Sequence, residues 1–67
     1  MRCAVIALSE NGARLAGKIK SFFDCDVYVK SNYKDYAPSD AIFYDKLSLL
    51  TAKIFKSYDA IVYICAT

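Results

Sequence analysis

The chain alternates between short, wholly apolar runs and segments in which apolar residues return every third or fourth position. "CAVIAL" (Cys3–Leu8) is a continuous apolar run with polar residues just behind it, the pattern of a strand buried on both faces. After "SENG", the residues Leu15, Ala16, Ile19, Phe22 and Phe23 keep the spacing of one helical face. Lys18 and Lys20 then fall toward solvent, and Ser9 or Asn11 can cap the helix start. "DCDVYVK" (Asp24–Lys30) is rich in β-branched and aromatic residues and predicts a second strand. "SNYKDYAPSD" (Ser31–Asp40) collects Ser, Asn, Asp and the single Pro, which predicts a loop. Asp45 stands where the N-cap of a second helix belongs, and Leu47, Leu50, Ile54 and Tyr58 form its stripe. "AIVYICA" (Ala60–Ala66) is a third strand, as apolar as the first.

A β-α-β-α-β order predicts an α/β fold, a small three-layer doubly wound unit. Three parallel strands in the order 2-1-3 carry a helix on each face. The third strand is then a sheet edge without the Lys, Pro or bulge signals that protect edges. Such an edge implies a pairing partner, either the remaining domains of a parent chain or a second copy of this one. The expectation is therefore a single α/β domain over 1–67, a piece of a longer protein or one half of a self-pairing dimer.

Composition narrows the possible functions. With 67 residues, 57% apolar and 24% charged, the chain is globular and not disordered. The net charge of +2 is too small for a dedicated nucleic-acid binder, and no run is long enough to span a membrane. "MRCAVIALSENG" lacks the layout of a signal peptide. Three cysteines, an odd number, suit free thiols in a cytoplasmic chain. Cys3 and Cys65 at opposite ends of neighbouring strands would lie on the order of 13–15 Å apart, too far to bridge; Cys25 falls nearer Cys3. The absence of His removes His-rich zinc sites and Ser-His-Asp triads. No metal site and no bound cofactor are expected.

Ligands of open parallel sheets bind beyond the carboxyl ends of the strands, where the strand order reverses. That rule selects Ser9, Glu10, Asn11 and Gly12 after the first strand, Lys30 after the second, and Thr67 after the third. The helix start offers backbone N–H groups to an anion, and Glu10 is the one carboxylate at the mouth, a candidate base. "GARLAGK" (Gly12–Lys18) satisfies G-x-x-x-x-G-K, but Ile19 stands where a phosphate-binding loop needs Ser or Thr. Leu15, Ala16 and Ile19 also keep helical register there, so Gly17 reads as a small residue packed close to the sheet. The tyrosines and lysines of "YVKSNYKDY" could stack bases, yet no nucleic-acid motif accompanies them, and tyrosines folded onto the sheet edge account for them better.

The stretches "AVIALSENGARLAGKI", "DVYV" and "IFKSYDAIVYICAT" together resemble the N-terminal region of the CbiG family, the cobalt-precorrin-5A hydrolases of anaerobic cobalamin biosynthesis. The resemblance covers essentially the whole chain. It implies opening of a δ-lactone on a cobalt-bound corrinoid, followed by loss of acetaldehyde, with the cobalt carried in the substrate. It also implies later Gly-rich elements, which are not in these 67 residues. On placement alone, "SENG" would supply oxyanion-binding N–H groups, Glu10 the base, and Lys30 and Lys34 the counter-charges for the corrinoid carboxylates. Two other classes stay open: a non-catalytic α/β module that pairs through its third strand, and a nucleotide-binding fragment.

Overall fold

The structure, a computed structural model, describes residues 1–66. Its elements are β1 (Cys3–Ala7), α1 (Glu10–Phe22), β2 (Asp26–Lys30), a 3-10 turn (Ser31–Tyr36), β3 (Ile42–Tyr44), α2 (Leu47–Ile54) and β4 (Ala60–Ile64). The sheet is fully parallel, in the order β3-β2-β1-β4. The α/β class and the helix on each face are as the pattern predicts. The three predicted strands keep their 2-1-3 order as β2-β1-β4, but their count needs correction, because an additional short strand, β3, pairs outside β2. Tyr28, Val29 and Lys30 of β2 stand opposite its Ile42, Phe43 and Tyr44.

Constant crossover handedness explains the layering. From β1 through β2 to β3 the chain steps in one direction, and both α1 and the 3-10 turn lie on the same face. Val5, Ala7, Val27 and Val29 pack there against Ala13 and Ala16, with Tyr33, Ala37 and Ala41 at the margin. From β3 the chain jumps back over β2 and β1 to β4, so α2 takes the opposite face. Ala4, Ile6, Tyr28 and Tyr44 meet Leu50 and Ile54, flanked by Leu47 and Tyr58. The predicted α2 stripe is therefore the one that packs.

The predicted stripe of α1 is not. Gly12, Ala13 and Ala16 are buried, Ile19 is half-buried, and Leu15, Phe22 and Phe23 are exposed. Small residues let the helix sit close to the sheet, and the bulky ones are displaced to its flank. Lys20 also departs from expectation. Its ammonium donates to the Cys25 carbonyl at 3.1 Å and pairs with Asp40 at 3.1 Å instead of pointing into solvent. Gly17 approaches Pro38, not the sheet; the close backbone approach is at Gly12.

Helix ends differ in how they are capped. The Ser9 hydroxyl accepts from Gly12 N–H at 3.0 Å, so Ser9, not Asn11, is the N-cap of α1. The start of α2 is not capped by Asp45 as expected. Lys46 holds that position and offers no side-chain acceptor. Beneath the amino ends of the strands, Tyr58 donates to Asp26 at 2.6 Å and shares a 2.7 Å hydrogen bond with Tyr28. Arg2 pairs with Asp26 at 3.5 Å and lies over the Tyr58 ring. Burial, then these hydrogen bonds, push the Tyr58 phenol well above its ordinary pKa.

A Cβ at Gly12 would lie 2.8 Å from the Ile64 carbonyl oxygen, which the sheet holds in place, whereas one at Gly17 meets only Pro38 at 3.8 Å. Gly→Ala in a helix gains about 1 kcal/mol of propensity, and overpacking costs about 1–3 kcal/mol. Gly17→Ala should therefore stabilise the chain and Gly12→Ala destabilise it, read as opposite shifts of the urea midpoint. Equal gains at both positions would contradict the close approach.

Candidate functional site

Strand order reverses between β1 and β4, and the turn after β1 meets the chain after β4 at that point. Leu8 N–H donates to the Ile64 carbonyl at 2.9 Å, and the Ser9 hydroxyl donates to the Ala66 carbonyl at 2.8 Å. Ala66 N–H returns a 3.3 Å bond to the Ser9 oxygen. Gly12, lacking a side chain, lets the first turn of α1 lie against Ile64. Ser9 and Gly12 thus lie side by side at the carboxyl end of β1, and backbone 64–66 fills the crevice beside them. The Ser9 hydroxyl and the Gly12 N–H are both engaged inside the protein.

Glu10 and Asn11 lie one residue further round the turn. Glu10 is half-buried and Asn11 exposed. The Tyr36 phenol, at the end of the 3-10 turn, faces Glu10. Its polar contact with that carboxylate, then the carboxylate's negative charge, push the phenol above its ordinary pKa. Arg14, one helical turn beyond Glu10, lays its guanidinium 4.7 Å from the centre of the Tyr36 ring. A carboxylate, a phenol and a guanidinium therefore converge at the carboxyl end of the sheet, on the α1 side. Chemically this is a proton acceptor flanked by a hydrogen-bond donor and a fixed positive charge.

Sequence reasoning selected Glu10 and missed its two neighbours. The Glu10/Arg14 spacing of four was the available signal; Tyr36 reaches the site only because the 3-10 turn folds back over α1. The tyrosines of this segment do fold onto the protein, Tyr33 against the core and Tyr36 against α1.

Lys30 is not brought to this cluster. It alternates with Val29 and so lies on the α2 side of the sheet, opposite Tyr44 and exposed. Lys34 is exposed on the 3-10 turn. Thr67 lies outside the described residues. Gly12–Lys18 is helical throughout, so "GARLAGK" does not form a phosphate-cradling loop. Among the described residues no group of three or more metal-ligating side chains occurs, and no helix is long and apolar enough to cross a membrane.

A separate concavity lies elsewhere. A groove of about 600 Å³ runs between β3 and α2, with Ile42, Leu49 and Leu50 in its wall and Asp45, Lys46 and Lys53 around it. Tyr44 closes its inner end, donating across β2 to the Ala7 carbonyl at 2.8 Å. Burial raises that phenol's pKa. The groove is on the face away from Glu10, and nothing in the sequence pattern marks it, because its floor depends on β3.

Fold and site together define a doubly wound, fully parallel α/β domain with an acid–phenol–guanidinium cluster beside its topological switch point. Compared with known protein families, curated proteins and solved structures, the chain matches none of them.

The Glu10–Tyr36 contact makes a direct prediction. The carboxylate disfavours the phenolate, so Tyr36 should ionise at higher pH than a free tyrosine, and Glu10→Gln should bring its titration back down. NMR of the Tyr36 ring protons against pH reads both. A Tyr36 titration unmoved by Glu10→Gln would mean the two groups do not meet.

Proposed function

We propose that this chain is the N-terminal domain of a cytoplasmic cobalamin-biosynthesis hydrolase, one that opens the δ-lactone of cobalt-precorrin-5A and releases acetaldehyde. The resemblance to the CbiG family motivates the reading, and one observation carries it. Two of the stretches that carry the resemblance, "AVIALSENGARLAGKI" and "IFKSYDAIVYICAT", converge at the switch point, where Ser9 binds Ala66 and Gly12 meets Ile64. Residues far apart in sequence build one place, with Glu10 at its rim.

Lactone opening needs an activated water, and release of the two-carbon unit needs a base for a hydroxyl proton. Glu10 is the acceptor, Tyr36 donates to it or to a substrate oxygen, and Arg14 holds negative charge at the mouth. Because the Ser9 hydroxyl and the Gly12 N–H are internally bonded, the oxyanion role falls to Arg14. Lys30 and Lys34 remain as exposed charges for the substrate's carboxylates, and cobalt arrives within the substrate. Removing a general base costs typically about 10²–10⁴-fold in rate. Acetaldehyde release from cobalt-precorrin-5A by the parent enzyme should fall by that order in Glu10→Gln, with binding of the corrinoid retained. Unchanged release would remove Glu10 from the mechanism.

A second reading rests on β4. Val62 and Tyr63 are each 46% exposed on this edge strand, and Ala60–Ile64 carries no charge to discourage pairing. On this reading the domain is a non-catalytic module whose β4 adds to the β4 of a second copy. Light scattering separates the two: a dimer abolished by Val62→Lys supports the module, and a monomer at all concentrations removes self-pairing.

A further inference from the structure

We infer that Cys3 and Cys25 form a built dithiol, which peroxide converts to an intramolecular disulfide across the amino ends of β1 and β2. The register places them. Ala4 stands opposite Asp26 and Val5 opposite Val27 in the parallel β1–β2 ladder, so the next pair outward is Cys3 and Cys25. Side-chain alternation puts both on the α1 face, where Cys25 belongs to the core of Val5 and Val27, and Cys3 packs against it. Adjacent strands lie about 4.7–4.9 Å apart, inside the roughly 4.4–6.8 Å range of Cα separations that a disulfide spans. Twenty-one residues separate the two cysteines along the chain, so the proximity is a product of the β1–α1–β2 crossover.

Access and chemistry are unequal at the two sulfurs. A small cavity of about 180 Å³ opens onto both from the amino end of the sheet, lined also by Arg2, Asp24 and Asp26. Cys3 is half-buried, whereas Cys25 is buried. Burial first, then the nearby charge of Cys3, push the Cys25 thiol above its ordinary pKa. Cys3 is therefore the sulfur that meets the oxidant and Cys25 the one that resolves it.

The step balances with hydrogen peroxide as oxidant. The Cys3 sulfur attacks one peroxide oxygen, the O–O bond breaks, and the departing hydroxide takes a proton to leave as water, giving a sulfenic acid. The Cys25 sulfur attacks the Cys3 sulfur, the S–O bond breaks, the S–S bond forms, and the hydroxide leaves with the Cys25 proton as a second water. Two thiols are oxidised and one peroxide is reduced. Cys65, exposed beyond β4 at the opposite end of the sheet, has no part in it. The bond would fasten the two inner strands at the end where the Arg2–Asp26–Tyr58 contacts already hold them.

The test uses the reduced full chain and its Cys65→Ser variant, treated with hydrogen peroxide under native conditions, alkylated with N-ethylmaleimide and mapped by mass spectrometry. The expected product is a Cys3 peptide joined to a Cys25 peptide within one molecule, in both proteins, reversed by dithiothreitol. In Cys25→Ser, which lacks the resolving sulfur, Cys3 should accumulate as a sulfenic acid trapped by dimedone. Oxidation confined to Cys65, or a Cys3–Cys25 bond that appears only in denaturant, overturns the proposal. So does a Cys25→Ser protein whose Cys3 takes no dimedone.

Discussion

Every other part of the domain depends on β1 being buried on both faces at once. Ala4, Val5, Ile6 and Ala7 are all at most 3% exposed, and β1 has a hydrogen-bonded neighbour on each side, β2 and β4. A strand in that position needs a cover above and a cover below, and a chain of 67 residues has material for little more than one helix on each. On one side Ala13 and Ala16 meet Val5 and Ala7; on the other Leu50 and Ile54 meet Ala4 and Ile6. The small side chains at Ala4 and Ala7 are consistent with the same need, since bulk there would lift a helix from the sheet. Once β1 is central, the crossovers place α1 and α2 on opposite faces, and the reversal of strand order falls between β1 and β4.

The two ends of the sheet are then finished differently. At the amino ends, the side chains of Arg2, Asp26, Tyr28 and Tyr58 contact one another, and the Arg2 backbone bonds the Asp59 carboxylate and the Asp59 and Ala60 N–H groups. Hydrogen bonds to a charged partner contribute roughly 1.5–3 kcal/mol each when well formed, although Arg2 and Asp26 are about half exposed or more and their ion pair adds little. At the carboxyl ends the closure is made by a single side chain, the Ser9 hydroxyl, together with the backbone of Leu8, Gly12 and residues 64–66. Such a closure leaves the neighbouring side chains free. That is why Glu10, Arg14 and Tyr36 can gather at this end without also being required for its architecture.

Continuous apolar runs made β1 and β4 legible: β1 is buried on both faces and has no alternation to confuse with a helix, and β4 is as apolar although it is half-exposed at the sheet edge. The α2 stripe was legible for the complementary reason: Leu50 and Ile54 are large, and large residues dominate any count of apolar positions. The same weighting misplaced α1. Its buried contacts are made by Gly12, Ala13 and Ala16, which contribute little apolar surface individually and matter through what they allow to approach. β3 was hidden by brevity; three residues after a Pro-containing segment carry too little pattern, and Tyr44 is held there by its bond to Ala7, fixed only in the folded chain. Glu10 could be selected by its place after β1, whereas Tyr36 and the Cys3–Cys25 pair needed the register of folded elements.

The misplaced face of α1 has an energetic meaning. At 100° per residue, Leu15, Ile19 and Phe22 share the Gly12 flank of the helix, the flank that passes β4, while Gly17 and Lys20 face Pro38 and Asp40 on the other side. Apolar surface has therefore not been scattered but gathered along one border, where Phe22 is 81% exposed and Val62 46%. Burying a large apolar side chain contributes about 1.5–3 kcal/mol, and a domain of 67 residues has a total stability of roughly 3–10 kcal/mol. Covering two or three of these side chains would thus change the stability of the domain by an amount comparable to the whole. A strand paired with β4 would therefore contribute to the stability of the fold as much as to its interactions.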